Sequence, residues 1–264
     1  MSSPESEDLP QTPIPTEIGL VDMHCHLLPG VDDGCRTVEE SLECARRLVA
    51  AGFTHAFCTP HIWPELPHNN VAQIPDALSQ LRTSLAEAEI PLALLPGGET
   101  RLSPDLLQTP PDDLVLLNLG ESRGGRFFLF DSWESEWPDY LERIMFRLMQ
   151  MNVIPIMAHP ERCEFFCEDP LNSADRLAEL GVLLQLDCYV LGDEALAKGL
   201  CTRRMRQAAQ RLIEFDYYSF LATDTHGPDS LDERLASLDA ARNEMGSLMF
   251  RRLLRRNPMQ LLPE

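Results

Sequence analysis

The stretch VDMHCHLLPGVDDG, Val21 to Gly34, decides how the rest of the chain is read. An apolar run ends in His24 and His26, and a turn through Pro29 and Gly30 leads to Asp32 and Asp33. On an extended strand residues i and i+2 share a face, so both imidazoles can reach one ion. A strand that merely meets a polar turn has the same pattern. The two readings part on whether the other strands end in the same kind of residue.

Short apolar runs alternate with longer amphipathic ones. IGLVDMH reads as a strand and TVEESLECARRLVAAG as a helix, with Thr37 and Glu40 as capping box and Gly52 as stop. THAFCTP is the next strand, followed by the helix NVAQIPDALSQLRTSLAEA, bent at Pro75. PLALLPGGE, DLVLLNL and RFFLFDS read as strands, EWPDYLERIMFRLMQMN as a helix, VIPIMAHP as a strand and NSADRLAELG as a helix. VLLQLDCY is a strand, DEALAKGLCTRRMRQAAQRLIEF one helix, YYSFLATDTH a strand, and two helical segments close the chain. Repeated strand–helix alternation predicts a parallel α/β barrel or a doubly wound sheet. It spans a single domain over residues 18–264, after an acidic, Pro/Ser-rich segment, 1–17, that reads as a disordered tail. That start has neither the basic nor the apolar part of a signal peptide.

Chemistry-bearing residues fall where these strands meet their loops. His24 and His26 end the first strand, His61 the second, Glu99 the third, Asp131 RFFLFD, His159 VIPIMAH, and Asp224 and His226 the last. Five of the seven histidines follow this rule, and in a parallel barrel all such ends lie on one face. His61 alone would be an ordinary loop residue, and AHPER alone a plain turn. A polar-surface reading must account for each strand end separately, whereas one metal centre accounts for all of them. His55 lies inside a strand and reads as a hydrogen-bonded interior residue, and His68 as a solvated loop residue. RRLLRR, Arg251 to Arg256, reads as a solvated helix face, with a subunit contact as the lesser alternative.

The formal charge of −20 argues against nucleic acid and anionic membranes as partners, since both are bound through Lys and Arg. No apolar run approaches the ~18 residues of a membrane span. Eight cysteines without a paired spacing predict reduced thiols in a cytoplasmic protein. Cys163 and Cys167 lack a second pair that would complete a zinc set. No cysteine has an arginine six residues later, so a thiolate-dependent phosphatase loop is excluded.

The motifs DMHCH, VDDG, CTPH, GGE, AHPER, TDTH and the late Asn257-Pro258 resemble, in this order, the PHP (polymerase and histidinol phosphatase) superfamily. The likeness runs from about Val21 to Pro258 and is nearest to the bacterial tyrosine phosphatases of capsule and exopolysaccharide loci, the CpsB/CapC type. LLPGVDDG after the paired histidines points to these rather than to histidinol phosphatases. The resemblance implies a distorted (β/α)7 TIM-like barrel holding three metal ions, usually manganese. It implies one ion on His24, His26, Glu99 and Asp224, a second on His61, Glu99, Asp131 and His159, and a third held in part by Asp33 and His226. It also implies that Arg162 grips the substrate phosphate. The family often has Glu where Asp131 stands. Its second arginine after the D-x-H motif is missing here, leaving Arg234 at another offset, or Arg123 or Arg126, as substitutes.

Mixed imidazole and carboxylate donors suit Mn, Fe or Zn better than Ca or Mg. Asp33, Glu99, Asp131 and Asp224 bring four negative charges; three divalent ions would leave a positive pocket in an acidic protein. The expected reaction is phosphomonoester hydrolysis by a metal-bound hydroxide, with a phosphotyrosine protein as substrate, such as a bacterial tyrosine kinase. A phenol, with a pKa of about 10, leaves with little protonation, which favours aryl esters. The alternatives are a small-molecule enzyme such as a histidinol phosphatase, and an inactive metal-binding regulatory protein. Self-association is compatible with either.

Overall fold

A computed structural model describes residues 17–263. The expected tail therefore lies, but for Glu17, outside the described residues. The chain is an α/β protein built on parallel sheets. Its order is β1 (Leu20–Cys25), α1 (Val38–Ala50), β2 (Phe53–Cys58), β3 (His61–Ile62), α2 (Ile74–Glu87), β4 (Ala93–Pro96) and β5 (Glu99–Arg101). There follow β6 (Leu117–Ser122), β7 (Gly125–Asp131), α3 (Leu141–Gln150), β8 (Val153–Ala158), α4 (Glu164–Glu168), α5 (Pro170–Glu179) and β9 (Leu183–Asp187). The chain closes with α6 (Asp193–Ala197), α7 (Arg203–Glu214), β10 (Tyr218–Ala222), α8 (Pro228–Arg251) and two short helical turns.

Strands β1, β2 and β4 form one parallel sheet, and β10, β9, β8, β7, β5 and β3 a second. The chain passes from the first sheet to the second in the two-residue breaks between β2 and β3 and between β4 and β5. Gly97 and Gly98 form the second break, because a Cβ on Gly98 would come within 2.6 Å of Val115. On the far side the two sheets meet at the ends of β1 and β10. There Asp224 N donates to His24 O (2.9 Å) and His26 N to Thr225 O (2.8 Å). The backbone thus draws the first and last strand ends together across some two hundred residues.

The apolar alternation of β7 shows how the core sets the site. Phe127 and Leu129 belong to an inner cluster with Val21, Met23, Phe57, Ile156, Phe220 and Leu261. Asp131 follows Leu129 at i+2, so it leaves the strand on that same face. Phe128 and Phe130 face the larger cluster formed with the helices.

Three local expectations need correction. Pro75 starts α2 rather than bending it, because the missing N–H of proline is tolerated in a first turn. The segment from Asp193 to Phe215 is two helices, broken by Gly199 in the left-handed region. DLVLLNL contributes only its end to a strand, β6, which pairs antiparallel with β7 in a hairpin through Arg123 and Gly124.

Candidate active site

The ends of β1, β3, β5, β8 and β10 converge on Glu99. Its Oε2 lies 3.3 Å from His24 Nε2, 3.5 Å from His26 Nε2 and 2.9 Å from His61 Nδ1. Its Oε1 lies 2.8 Å from His159 Nε2. Asp224 Oδ1 lies 3.3 Å from both His24 Nε2 and His26 Nε2, and 3.5 Å from His226 Nδ1. Asp33 Oδ1, toward solvent, lies 3.2 Å from His61 Nε2 and 3.6 Å from His226 Nε2. His24, His26, Glu99 and Asp224 are completely or almost completely buried.

Two strand ends adopt backbone conformations that non-glycine residues rarely take. His159 has φ 32° and Asp224 φ 49°. Such left-handed residues cost of order 1–3 kcal/mol and persist where surroundings hold them. Here they turn the side chains inward just as the strands stop.

The ligand-type histidines are braced from behind. His26 Nδ1 donates to Asp32 Oδ2 (2.7 Å) and His24 Nδ1 to Gln185 Oε1 (2.9 Å), which leaves both Nε2 atoms for the cluster. Asp32 also accepts from His61 N (2.9 Å) and Gly34 N (3.0 Å). Gly34 is obligatory: a Cβ there would stand 2.2 Å from His26 O. Asp22 accepts from the backbone and hydroxyl of Thr223, which locks β1 to the residue beside Asp224.

Proton affinities follow from this crowding. Burial works against protonated His24 and His26, but the neighbouring carboxylates outweigh it and raise both. His61 is likewise raised to about 9, against burial, by Asp33 and Glu99. Burial opposes ionisation of Glu99 and Asp224, yet the imidazoles, with Arg162 beside Asp224, hold both well below the usual range. Burial and then the charge of Glu99 push Asp131 up to about 7. His226 falls to about 4 through burial and the neighbouring His26.

The donors suit divalent metal ions. Among the described residues, three groups bring their ligand atoms within 4.8 Å of one another: His26, Asp33, His61 and His226; His24, His26 and Glu99; and His24, His159 and Asp224. His61 Nδ1, Glu99 Oε2, Asp131 Oδ1 and Asp224 Oδ1 are all buried without a hydrogen-bond partner. Buried acceptors left bare in this way are costly unless a cation engages them. His61 groups with His26, Asp33 and His226, and His159 with His24 and Asp224, while Glu99 stands 2.9 Å from His61 and 2.8 Å from His159. Asp131 stands outside these three groups; its Oδ2 accepts from Trp133 Nε1, and its Oδ1 is the bare one.

Arg162, with a third of its side chain exposed, follows a short turn after His159 and makes ion pairs from Nη2 to Asp187 and Asp224. Arg234 reaches the back of the site, where Nη1 donates to Thr223 O and lies 3.3 Å from Asp187 Oδ1. Arg123 and Arg126 cannot substitute for the missing arginine. They donate to Pro263 O and Met151 O at the opposite end of β7, Arg126 about 16 Å along the strand from Asp131. The Asn257-Pro258 motif also lies away from the site, with Asn257 Nδ2 donating to Ser219 O at the start of β10. His55 is a buried residue bonded to Thr54, and His68 is exposed. In RRLLRR, Leu253 and Leu254 are buried and Arg252 pairs with Asp216.

Asp32, Gln185, Asp187, Trp63 and Trp133 went unassigned in the sequence reading. Asp187 ends β9 in QLD and obeys the strand-end rule, which would have found it. Asp32 and Asp187 add two negative charges and Arg162 and Arg234 two positive ones, so the charge balance of the donor set is unchanged.

Parallel sheets whose strand ends gather imidazoles and carboxylates define an α/β protein with a centre fit for divalent metal ions. The profile of the family described as "Capsular polysaccharide synthesis, CpsB/CapC" matches residues 20–263, and the chain belongs to that family. It is 30% identical to the tyrosine-protein phosphatase YwqE of Bacillus subtilis, over 78% of this chain and 77% of the relative. It is 26% identical to the putative tyrosine-protein phosphatase CapC of Staphylococcus aureus, over 78% and 77%. Among solved structures it resembles one from a study of YwqE of Bacillus subtilis and CpsB of Streptococcus pneumoniae, described as unique metal-dependent tyrosine phosphatases. The TM-score is 0.79 and the identity 28%, with 92% of this chain and 94% of the other covered.

Proposed function

We propose that the chain is a metal-dependent protein-tyrosine phosphatase working from a single catalytic domain, a distorted seven-stranded barrel in which β2–β3 and β4–β5 each count as one strand. The carrying observation is the carboxylate of Glu99, whose two oxygens face four imidazoles while Oε2 keeps no hydrogen-bond partner. His24, His26, Asp33, His61, Glu99, Asp131, His159, Asp224 and His226 would hold the ions. Three divalent ions suit the charge balance, and manganese is the metal expected from the family, with iron or zinc as chemical alternatives. Bound there, divalent ions supply Lewis acidity toward phosphoryl oxygens and acidify water to near neutral pKa.

The chain's own groups do the rest. Arg162 offers a planar guanidinium to phosphoryl oxygens, held in aim by Asp187. Glu99 and Asp224 stay ionised because the imidazoles, with Arg162 beside Asp224, surround them. A phenolate leaves with little help from a proton donor, which suits an aryl ester. The substrate class is phosphotyrosine in protein, with a tyrosine kinase of the same cytoplasm as the natural candidate. The test is hydrolysis of a phosphotyrosine peptide and of histidinol phosphate by manganese-loaded protein, with and without chelator. Chelator-sensitive turnover of the peptide is expected. Faster turnover of histidinol phosphate would reassign the substrate.

A further inference from the structure

Beside the ligand cluster stands an aromatic step that none of the site's metal or phosphate chemistry uses. Trp63 stacks on His61, ring centroids 3.9 Å apart and planes 22° from parallel. Trp133 meets Trp63 edge to face at 5.0 Å. The Arg101 guanidinium sits in the corner between them, 4.6 Å from the Trp63 ring and 4.2 Å from that of Trp133, with Glu65 at Nη1. The series His61, Trp63, Arg101, Trp133 runs from the centre outward. At its end Trp133 is 64% exposed, though its indole N–H is fixed on Asp131. A large apolar ring held rigidly at a charged site, one face covered by a cation and much of its surface open, is an unusual thing to leave in water.

We propose that Trp133, backed by Arg101 and Trp63, is the aryl subsite: it covers the phenyl ring of a bound phosphotyrosine and selects aryl over alkyl phosphate esters. The inference rests on the phosphatase reading and extends it to substrate class. The indole is one hydrogen bond from Asp131, so a ring against it lies beside phosphate held at the centre. Ring-on-ring contact contributes about 0.5–1.5 kcal/mol beyond area burial, which is two- to tenfold in affinity. A serine or threonine phosphate has no ring to place there.

Because Trp133 also holds Asp131, the test must separate the ring from the N–H. Phenylphosphonate and methylphosphonate differ only in the ring. Their binding to manganese-loaded wild type, Trp133→Ala and Trp133→Phe is measured by calorimetry, which needs no turnover. Wild type should prefer the phenyl compound. Trp133→Ala should shrink that preference about two- to tenfold, and Trp133→Phe, which keeps a ring and loses the N–H, should retain most of it. Weakening of both compounds alike in Trp133→Ala, with the preference intact, would overturn the subsite and leave Trp133 as a brace for Asp131. Failure of wild type to hydrolyse any aryl phosphate would instead overturn the phosphatase reading, and the two results are read from separate experiments.

Discussion

The two flanks of the cluster are built differently. On the β1 and β10 flank His24 and His26 are buried, His226 is partly buried, and all three are held from behind: His26 by Asp32, His24 by Gln185, His226 Nδ1 by Asp224 O (2.9 Å). On the β7 flank Asp131 is held by an exposed indole on a loop, and Arg101 lies between two aromatic rings. The first flank is fixed before any ligand arrives, which favours holding ions at a set geometry. The second presents surface to whatever approaches. Ion retention should therefore fail first when the braced flank is altered, and substrate choice when the aromatic flank is altered.

The largest effect belongs to the residue that joins the flanks. Glu99→Gln keeps the shape and one acceptor but replaces an oxygen facing imidazoles by an amide that repels cations. Metal content should fall by at least one ion per chain, and turnover of an aryl phosphate by about a thousandfold or more. Full metal content in this variant would remove Glu99 from the ligand set.

The pH dependence of metal binding separates the flanks next. Without an ion, His61 holds its proton up to about pH 9, and His24 and His26 are raised as well. An ion must displace these protons, so affinity should rise with pH. One displaced proton gives about tenfold per pH unit, or roughly a hundredfold from pH 7 to 9. Phosphonate preference for the phenyl ring, referred to the dianion of each compound, should stay flat over the same range, since no indole titrates. A flat metal affinity would mean that the imidazoles are neutral before binding.

What the sequence made legible follows from the same division. Residues at the ends of apolar runs could be read because burial stops and chemistry starts at one chain position, as in MAH159 and FLFD131. The braces could not: Gln185 meets His24 across 161 residues, and nothing local to the run LLQLD announces such a pairing. Asp32 stood in plain view, but only the fold shows that it turns back to His26 and His61 N while Asp33 turns outward. The aromatic step was hidden for another reason. Trp63 and Trp133 sit in loops with no periodicity, and Arg101 joins them only because β5 and β7 pair with Arg101 opposite Asp131. The hairpin of β6 escaped because the strand lies mostly past its apolar run, continuing from Leu117 to Ser122 through residues without apolar alternation.

Asp32→Ala should act through geometry alone. It removes no predicted ligand but frees the His26 ring and the loop through Gly34. Metal affinity should fall 10- to 100-fold, the usual scale for losing an outer partner of a ligand histidine. The phenyl preference of the protein reloaded at high metal should be unchanged. A fall in that preference as large as in Trp133→Ala would mean that the flanks are not separable.

The last effect is on stability alone and tests what lies behind Arg162. Glu161 is fully buried and accepts from Asp187 N (2.9 Å) and Tyr218 OH (2.8 Å). Burial pushes its carboxyl up to about 7, against the hydrogen bonds it accepts from Asp187 N and Tyr218. A raised acid stabilises the fold fully below its unfolded pKa, near 4.5, and that contribution is lost as pH climbs through about 7. The span corresponds to roughly 3 kcal/mol at most. Glu161→Gln is neutral throughout, so its stability should match wild type near pH 4.5 and exceed it increasingly toward pH 7, as read from melting temperatures of the two proteins. If the curves stay parallel, Glu161 titrates as it does in the unfolded chain and is ionised at pH 7, its two donors offsetting burial. The brace behind Arg162 would then be an ionic one like that behind His26, and the braced flank would be uniform in kind.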